Sequence, residues 1–273
     1  MRKLLYICTA GDYDYTYLGK ILLSSLHRFD RDFDIIWFMD KPVEIDIPYP
    51  NVVFKTMPKS NVTIPNEKHP ERYQAWGMKC QALIEIQKMD KWDLVLYLDV
   101  DMIVQSSLNE LFDTDMADND ALAVFHYDSL NEGMMLFKMA NLPELPDYDQ
   151  YIKDVVIPKY AAFDVYDIIY ADSEWIKYGL DLKWMLVHDT DWNYINKQHH
   201  ADIITNELYR RRAEQRNAKI VHYTHRSKPW EFLTLSRQHL QVSVEPLRKV
   251  LRTLDDLPDV YKAVLELNGK IYE

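Results

Sequence analysis

Five consecutive apolar residues, Leu94-Val95-Leu96-Tyr97-Leu98, follow closely on a stretch of helical periodicity, Gln74 to Lys88, in which Cys80, Leu83, Ile84 and Gln87 fall in register. An unbroken apolar run of this length reads as a strand covered on both faces, and such strands sit in parallel sheets between layers of helix. The alternation recurs upstream. Lys3 to Thr9 and Asp34 to Met39 read as strands, with Leu18, Ile21, Leu22, Leu26 and Phe29 at helical spacing between them. A short strand, Val52 to Lys55, is expected inside a proline-marked loop region from Pro42 to Pro70, and further strands at Ala121 to Phe125 and Met134 to Phe137. Strand and helix in turn predict an α/β domain with a mainly parallel sheet flanked by helices. Beyond Asp147 the chain becomes more helical. Lys219 to Tyr223 supplies another short strand, and Glu245 to Arg252 and Leu257 to Leu267 read as closing surface helices. With no internal repeat, low-complexity tract or clean linker, residues 1–273 are expected to form one domain.

The apolar run ends on Asp99-Val100-Asp101. Side chains two apart on an extended strand share a face, and parallel sheets bind ligands beyond the carboxyl ends of their strands. Two carboxylates placed together there repel each other and raise one pKa unless a cation lies between them. A hard divalent metal gripping a phosphate is the occupant this chemistry points to. The spacing itself is common here: Asp12/Asp14, Asp30/Asp32, Asp32/Asp34, Asp113/Asp115, Asp118/Asp120, Asp147/Asp149 and Asp189/Asp191 share it, in a chain with 43 acidic residues. Asp30-x-Asp32-x-Asp34 also fails as a calcium loop, since Ile35 stands where that loop needs glycine. Only Asp99/Asp101 has a buried strand behind it. From spacing and strand alone, a metal site and a pair of solvated carboxylates both stay open.

Composition narrows the function classes. At 273 residues and 48% hydrophobic, the chain can bury a full core. No apolar stretch approaches the roughly 18 residues a membrane span needs. Met1-Arg2-Lys3 followed by Leu4 to Ala10 loosely mimics a secretory leader, but the apolar part is short and Gly11-Asp12 follows at once, so a first buried strand is expected. Cys8 and Cys80 lie inside apparent secondary structure and read as buried thiols in a reducing, cytoplasmic setting. A net charge of −11 argues against a general polyanion binder. One basic cluster stands out locally: Arg210-Arg211-Arg212, Arg216, Lys219, Arg226 and Lys228. It reads either as a solvated helix face or as a patch that draws in an anionic partner. Six glycines leave no room for a G-x-G-x-x-G, a Walker A loop or a G-x-S-x-G elbow. A bound nucleotide would need metal and cationic side chains for its phosphates.

A second constellation lies at Ile220-Val221-His222-Tyr223-Thr224-His225-Arg226-Ser227-Lys228-Pro229-Trp230. It offers a histidine closing an apolar strand and, beyond it, a lysine fixed by Pro-Trp. A neutral imidazole can join two carboxylates on a metal, and an ammonium can neutralise a phosphate oxygen; a purely structural His222 is the other reading.

Taken together these segments resemble the family 8 glycosyltransferases of the glycogenin and lipopolysaccharide galactosyltransferase type, which have the GT-A fold. Leu96 to Asp101 is similar to that family's Y-L-D-x-D metal motif, and His222 to Trp230 to its H-x-x-G-x-x-K-P-W motif. Weaker echoes cover most of the chain. Thr9-Ala10-Gly11-Asp12 through Tyr15 resembles the first-strand uridine turn, Trp76 to Lys79 the W-x-K helix start, and Asn131 to Met134 the F-N-x-G-V donor-sugar segment. Asp172-Ser173-Glu174-Trp175-Ile176 resembles D-Q-D-x-L-N, and Asp191-Trp192-Asn193 the later W-N turn.

The resemblance implies a nucleotide-sugar half over about residues 1–146 and an acceptor-side half over about 147–273. It implies Mn²⁺ or Mg²⁺ on Asp99, Asp101 and His222, with Val100 between the carboxylates, Thr9, Ala10, Asp12 and Tyr15 at the uracil, and Arg72 and Lys79 near the donor. Asn131, Gly133, Asp172 and Glu174 would face the sugar, Ser173 would occupy the catalytic segment, and Lys228 with His225 would lie at the diphosphate. The reaction implied is metal-dependent, retaining transfer of a sugar from a nucleotide diphosphate, UDP-hexose being the expected donor, to an acceptor hydroxyl on a glycan or other molecule. The basic cluster adds the expectation of an anionic acceptor, a phosphorylated glycan or a nucleic acid. Two departures carry weight: His225 replaces the family's glycine, and Ser173 replaces the glutamine beside the anomeric carbon. They keep open a non-catalytic nucleotide-sugar-binding descendant. Sugar-1-phosphate nucleotidylyl transfer is the other alternative, although the shortage of glycine counts against it.

Overall fold

The structure, a computed structural model, describes residues 1–10, 13–42, 51–64, 70–126, 129–161, 171–188, 192, 194–195 and 218–222. Its centre is a seven-stranded sheet. Strand β1 (Lys3–Thr9) leads through helix α1 (Tyr13–Leu26) to β2 (Asp34–Met39) and then β3 (Val52–Thr56). Helix α2 (Pro70–Met89) leads to β4 (Leu94–Leu98). The short β5 (Met102–Val104) and helix α3 (Asn109–Phe112) follow, then β6 (Ala121–His126) and β7 (Ser129–Lys138). Helix α4 (Tyr148–Tyr151) continues through a widened turn, Ile152–Val156, into α5 (Ile157–Ala161). Helix α6 (Ala171–Glu174) continues likewise through Trp175–Gly179, and β8 (Trp184–His188), β9 (Tyr194–Ile195) and β10 (Ile220–His222) complete the described elements.

The sheet runs β3-β2-β1-β4-β7-β6-β8, and a small sheet β5-β10-β9 stands beside it. Strand β1 pairs in parallel with both β2 and β4, β2 with β3, and β6 with β8. Strand β7 runs antiparallel to both of its neighbours. The sheet is thus mostly parallel, as the alternation of strand and helix predicts.

Alternation along each strand divides the core in two. Leu4 and Tyr6 of β1, Ile36 and Phe38 of β2, and Val95 and Tyr97 of β4 join Met78, Cys80, Leu83 and Ile86 of α2 on one face. Leu5 and Ile7, Ile35 and Trp37, and Leu94, Leu96 and Leu98 join Leu18, Leu22, Leu23 and Leu26 of α1 on the other. Both faces of every central strand are therefore covered, which is why these segments read as continuous apolar runs.

Element boundaries differ from the sequence expectation for physical reasons. Helix α1 ends at Leu26, before Phe29, because the amides of Phe29 and Asp30 turn back onto the Leu26 carbonyl. Helix α2 begins earlier, at Pro70, a residue whose fixed φ and missing N–H suit a first helical turn. Strand β7 is longer than expected because it pairs with β4 along one edge and β6 along the other. The short strands β5 and β9 lack any long apolar signature and were not expected; β8 was not expected either, although Trp184 to Val187 is an apolar run. The expected helices at 245–252 and 257–267 lie outside the described residues.

Candidate metal and donor site

The order β2-β1-β4 puts a switch point in the sheet: the chain leaves β1 towards one side and β4 lies on the other. In sheets of this kind a crevice opens where neighbouring parallel strands diverge, outside their carboxyl ends. Thr9 and Ala10 close β1 there, and Asp99 to Asp101 close β4. The carboxylates do not ride on the strand itself. Strand β4 stops at Leu98, opposite Met134, and the Asp99 amide donates to the Gly133 carbonyl at 2.8 Å. The chain then turns through Val100 and Asp101 so that β5 can pair with β10.

That pairing brings in the histidine. Met102 lies opposite His222 in the antiparallel β5–β10 register, which sets Asp101 beside the imidazole. His222 Nε2 is 3.1 Å from Asp101 Oδ1 and 3.6 Å from Asp99 Oδ2. One ligand atom from each of the three residues lies within 4.8 Å of the others. Two carboxylate oxygens and one imidazole nitrogen form a donor set that suits Mn²⁺ or Mg²⁺, so these residues could hold such an ion. The imidazole is buried against β7, where only glycine fits: a Cβ on residue 133 would stand 2.6 Å from His222 Cε1 and 2.9 Å from Nδ1. Burial pushes the Asp99 carboxyl above the usual aspartate range; Lys79 and His222 pull it back and Asp101 pushes it further up.

Behind the three residues lies a buried polar layer on the α2 side of the sheet. Tyr97 donates its hydroxyl to Asp99 Oδ1 at 2.6 Å. Burial first, and then the charge of Asp99, keep that phenol protonated far above its usual range. Lys79 of α2 pairs with Asp172 of α6 at 2.7 Å, both side chains being more than nine-tenths buried. Burial opposes the Lys79 charge, but Asp172, Asp99 and Glu132 outweigh it and hold its pKa above the ordinary lysine value. Only one Asp172 oxygen is engaged; Oδ1 has no hydrogen-bond partner among the described residues.

The other expected site residues divide. The Asn131 side chain accepts from the Gly133 amide at 3.0 Å, folding back on its own strand. Ser173 is half-buried on α6. Glu174 is engaged elsewhere, accepting from Lys159 and from the Tyr160 hydroxyl, each at 2.7 Å, so it ties α6 to α5. Thr9 Oγ1 accepts from Trp37 Nε1 at 2.8 Å, and the Val100 side chain is buried in the α1-side core. Both contribute side chains to packing at the site's edge, leaving backbone groups there. Ala10 is half-buried at the end of β1. Tyr15 and Arg72 fall in the first turns of α1 and α2. Asp12, His225, Lys228 and Arg210-Arg211-Arg212 with Arg216 and Arg226 lie outside the described residues. Of the basic cluster Lys219 is described; it pairs with Glu110 and lies 4.4 Å from the Trp192 ring centroid. Tyr97 is not among the expected site residues, and Gly133 is expected at the sugar. The signal for Tyr97 was present: it stands two residues before Asp99, within reach of its carboxylate.

Comparison with known proteins bears on the fold. Residues 43–154 match the family model "Glycosyl transferase family 8". Glycosyltransferase GlyD of Streptococcus pneumoniae serotype 4 is 24% identical over 252 residues; the alignment covers 85% of this chain and 29% of that protein, so the chain spans under a third of its relative. Among solved structures, the galactosyltransferase LgtC in complex with donor and acceptor sugar analogs superposes with a TM-score of 0.52 at 20% identity, covering 90% of this chain and 99% of LgtC. Mouse xyloside xylosyltransferase 1 superposes at 0.52 with 12% identity, covering 84% and 99%. Glycosyltransferase GlyE of Streptococcus pneumoniae superposes at 0.50 with 19% identity, covering 98% of this chain and 63% of GlyE. At these identities the structural likeness establishes the fold, GT-A, and the likeness to the family 8 glycosyltransferases lies in the matched segment, residues 43–154.

Proposed function

We propose that this chain transfers a sugar, with retention of configuration, from a nucleotide diphosphate donor, UDP-hexose, to an acceptor hydroxyl, and that the reaction depends on Mn²⁺ or Mg²⁺. One observation carries the reading: Asp99, Asp101 and His222, from two separate sheets, converge at the switch point where β1 and β4 end. In this reading the three residues hold the cation, which supplies charge neutralisation for the diphosphate leaving group when bound. The chain's own groups do the rest. Asp172, fixed by Lys79 through one oxygen, keeps Oδ1 to accept from a sugar hydroxyl. Backbone groups at Thr9 and Ala10, with Asp12 and Tyr15, border the base. Arg72 stands near the donor, and Lys228 with His225 bears on the phosphates. Asn131 and Ser173 border the sugar, while Glu174 contributes by anchoring α6. We read 1–273 as one domain, with the donor half in about the first 146 residues, and place it in a reducing, cytoplasmic setting on the support of two free, unpaired cysteines. No helix among the described residues is long and apolar enough to cross a membrane.

A second reading has a specific residue in its favour: Ser173, where the family has glutamine, is consistent with a chain that binds a nucleotide-sugar without turning it over. Incubating the chain with a panel of nucleotide-sugars, acceptors and Mn²⁺ separates the readings. Transfer predicts metal-dependent release of UDP that EDTA abolishes, and a product whose first anomeric coupling constant, read by NMR before mutarotation, matches the donor's configuration. Pyrophosphate release would instead indicate nucleotidylyl transfer. Binding with no release of either would leave the non-catalytic reading. An inverted product would remove the retaining mechanism.

A further inference from the structure

A carboxylate on a turn can rotate, and what it offers to a cation depends on which oxygen it presents. We propose that Tyr97 is a positioning residue that fixes Asp99 as a one-oxygen ligand, an inference that rests on the metal reading above. The Tyr97 hydroxyl occupies Oδ1 of Asp99 at 2.6 Å, and the opposite oxygen, Oδ2, is the one that lies 3.6 Å from His222 Nε2. The Asp99 backbone is held independently, its amide donating to the Gly133 carbonyl at 2.8 Å. Main chain and one oxygen are thus both fixed, and the remaining oxygen faces Asp101 and His222.

Tyr97 itself cannot easily move. Its ring packs on Tyr6 with centroids 5.0 Å apart, and Lys79 Nζ lies 5.7 Å from its centroid on α2. Tyr6 in turn donates its hydroxyl to the Lys79 carbonyl at 3.3 Å. The phenol is therefore a rigid donor on β4 behind a carboxylate that sits just off the strand. Without the hydroxyl, Asp99 would be free to turn Oδ1 towards the cation, or towards Lys79. Groups that orient metal ligands in this way typically change metal affinity by about 10- to 100-fold when removed.

The test is titration of Mn²⁺ alone into the full chain by calorimetry, with the spectrum of the bound ion read by electron paramagnetic resonance. Tyr97→Phe keeps the ring in its packing and deletes only the hydroxyl. It should raise the Mn²⁺ Kd by about tenfold or more and alter the bound-ion spectrum, with little change in melting temperature. Tyr6→Phe deletes a neighbouring buried hydroxyl that does not touch Asp99, and should leave the Mn²⁺ Kd at the parent value. Parent-like affinity and spectrum in Tyr97→Phe would overturn the proposal. So would equal losses in both variants, since they would mark general softening of the core. Failure of the parent to bind Mn²⁺ would overturn the metal reading itself, and shows before any variant is made.

Discussion

A Cβ at residue 133 would press on the His222 ring from 2.6 Å, against a strand that also holds the Asp99 amide. Neither backbone can yield without breaking the β4–β7 ladder, so the imidazole must move. Overpacking of this kind costs about 1–3 kcal/mol. Gly133→Ala should therefore fold with modestly lowered stability and bind Mn²⁺ at least tenfold more weakly, a loss of about 1.4 kcal/mol, read by calorimetry beside a melting curve. Parent-like Mn²⁺ affinity would show that His222 is not a ligand. At this scale the sequence exposes chemistry well and geometry poorly. Asp99, Asp101 and His222 were expected as ligands through the family resemblance, and the structure brings one candidate ligand atom of each within 4.8 Å of the others. Glu174 was legible as a carboxylate near the sugar, but its engagement by Lys159 and Tyr160, both fourteen or fifteen residues away, was not. Thr9 was expected at the base, yet its hydroxyl is taken by Trp37 across the β1–β2 ladder, a pairing that needs the register to be seen.

Among the elements, the small sheet β5-β10-β9 is what brings His222 to the carboxylates, and a buried aspartate outside the site helps to hold it. Asp30, 3% exposed, accepts from the Ser107 hydroxyl at 2.6 Å, the Leu108 amide at 2.7 Å and the Asn109 side chain at 3.0 Å. These bonds pin the segment after β5 to the end of α1, while Ser25 of α1 donates to the Leu22 carbonyl and accepts from the Val104 amide. Asp30→Ala leaves a buried amide and two side-chain donors without their acceptor, which should cost about 2–4 kcal/mol in denaturant unfolding. A loss below about 0.5 kcal/mol, the range of ordinary surface substitutions, would show that the segment is held by packing alone. From the sequence, Asp30 belonged to a run of acidic residues with no evident task; its three partners lie more than seventy residues away in the chain. The long apolar strands were legible because both faces are covered. Of the short strands in the small sheet, β10 was expected within Lys219 to Tyr223, while β5 and β9 pair with it in a way that no local pattern announces.

Over the whole molecule, alternation of strand and helix foretold the mostly parallel sheet, and the apolar run before Asp99 foretold the strand β4 at whose end Asp99, Asp101 and His222 lie together. The order β3-β2-β1-β4-β7-β6-β8 was not foretold, and it is the order that puts a switch point between β1 and β4. Net charge of −11 shows why a cation belongs in the account: a chain this acidic has little general attraction for a diphosphate. In the proposed function, nucleotide binding runs through a cation held by Asp99, Asp101 and His222. Calorimetric titration of UDP into the parent and Asp101→Asn, each with and without Mn²⁺, tests it most directly. Mn²⁺ should strengthen UDP binding to the parent, and Asp101→Asn, still folded, should lose that gain. Equal Mn²⁺-dependent affinity for UDP in the two proteins would contradict it.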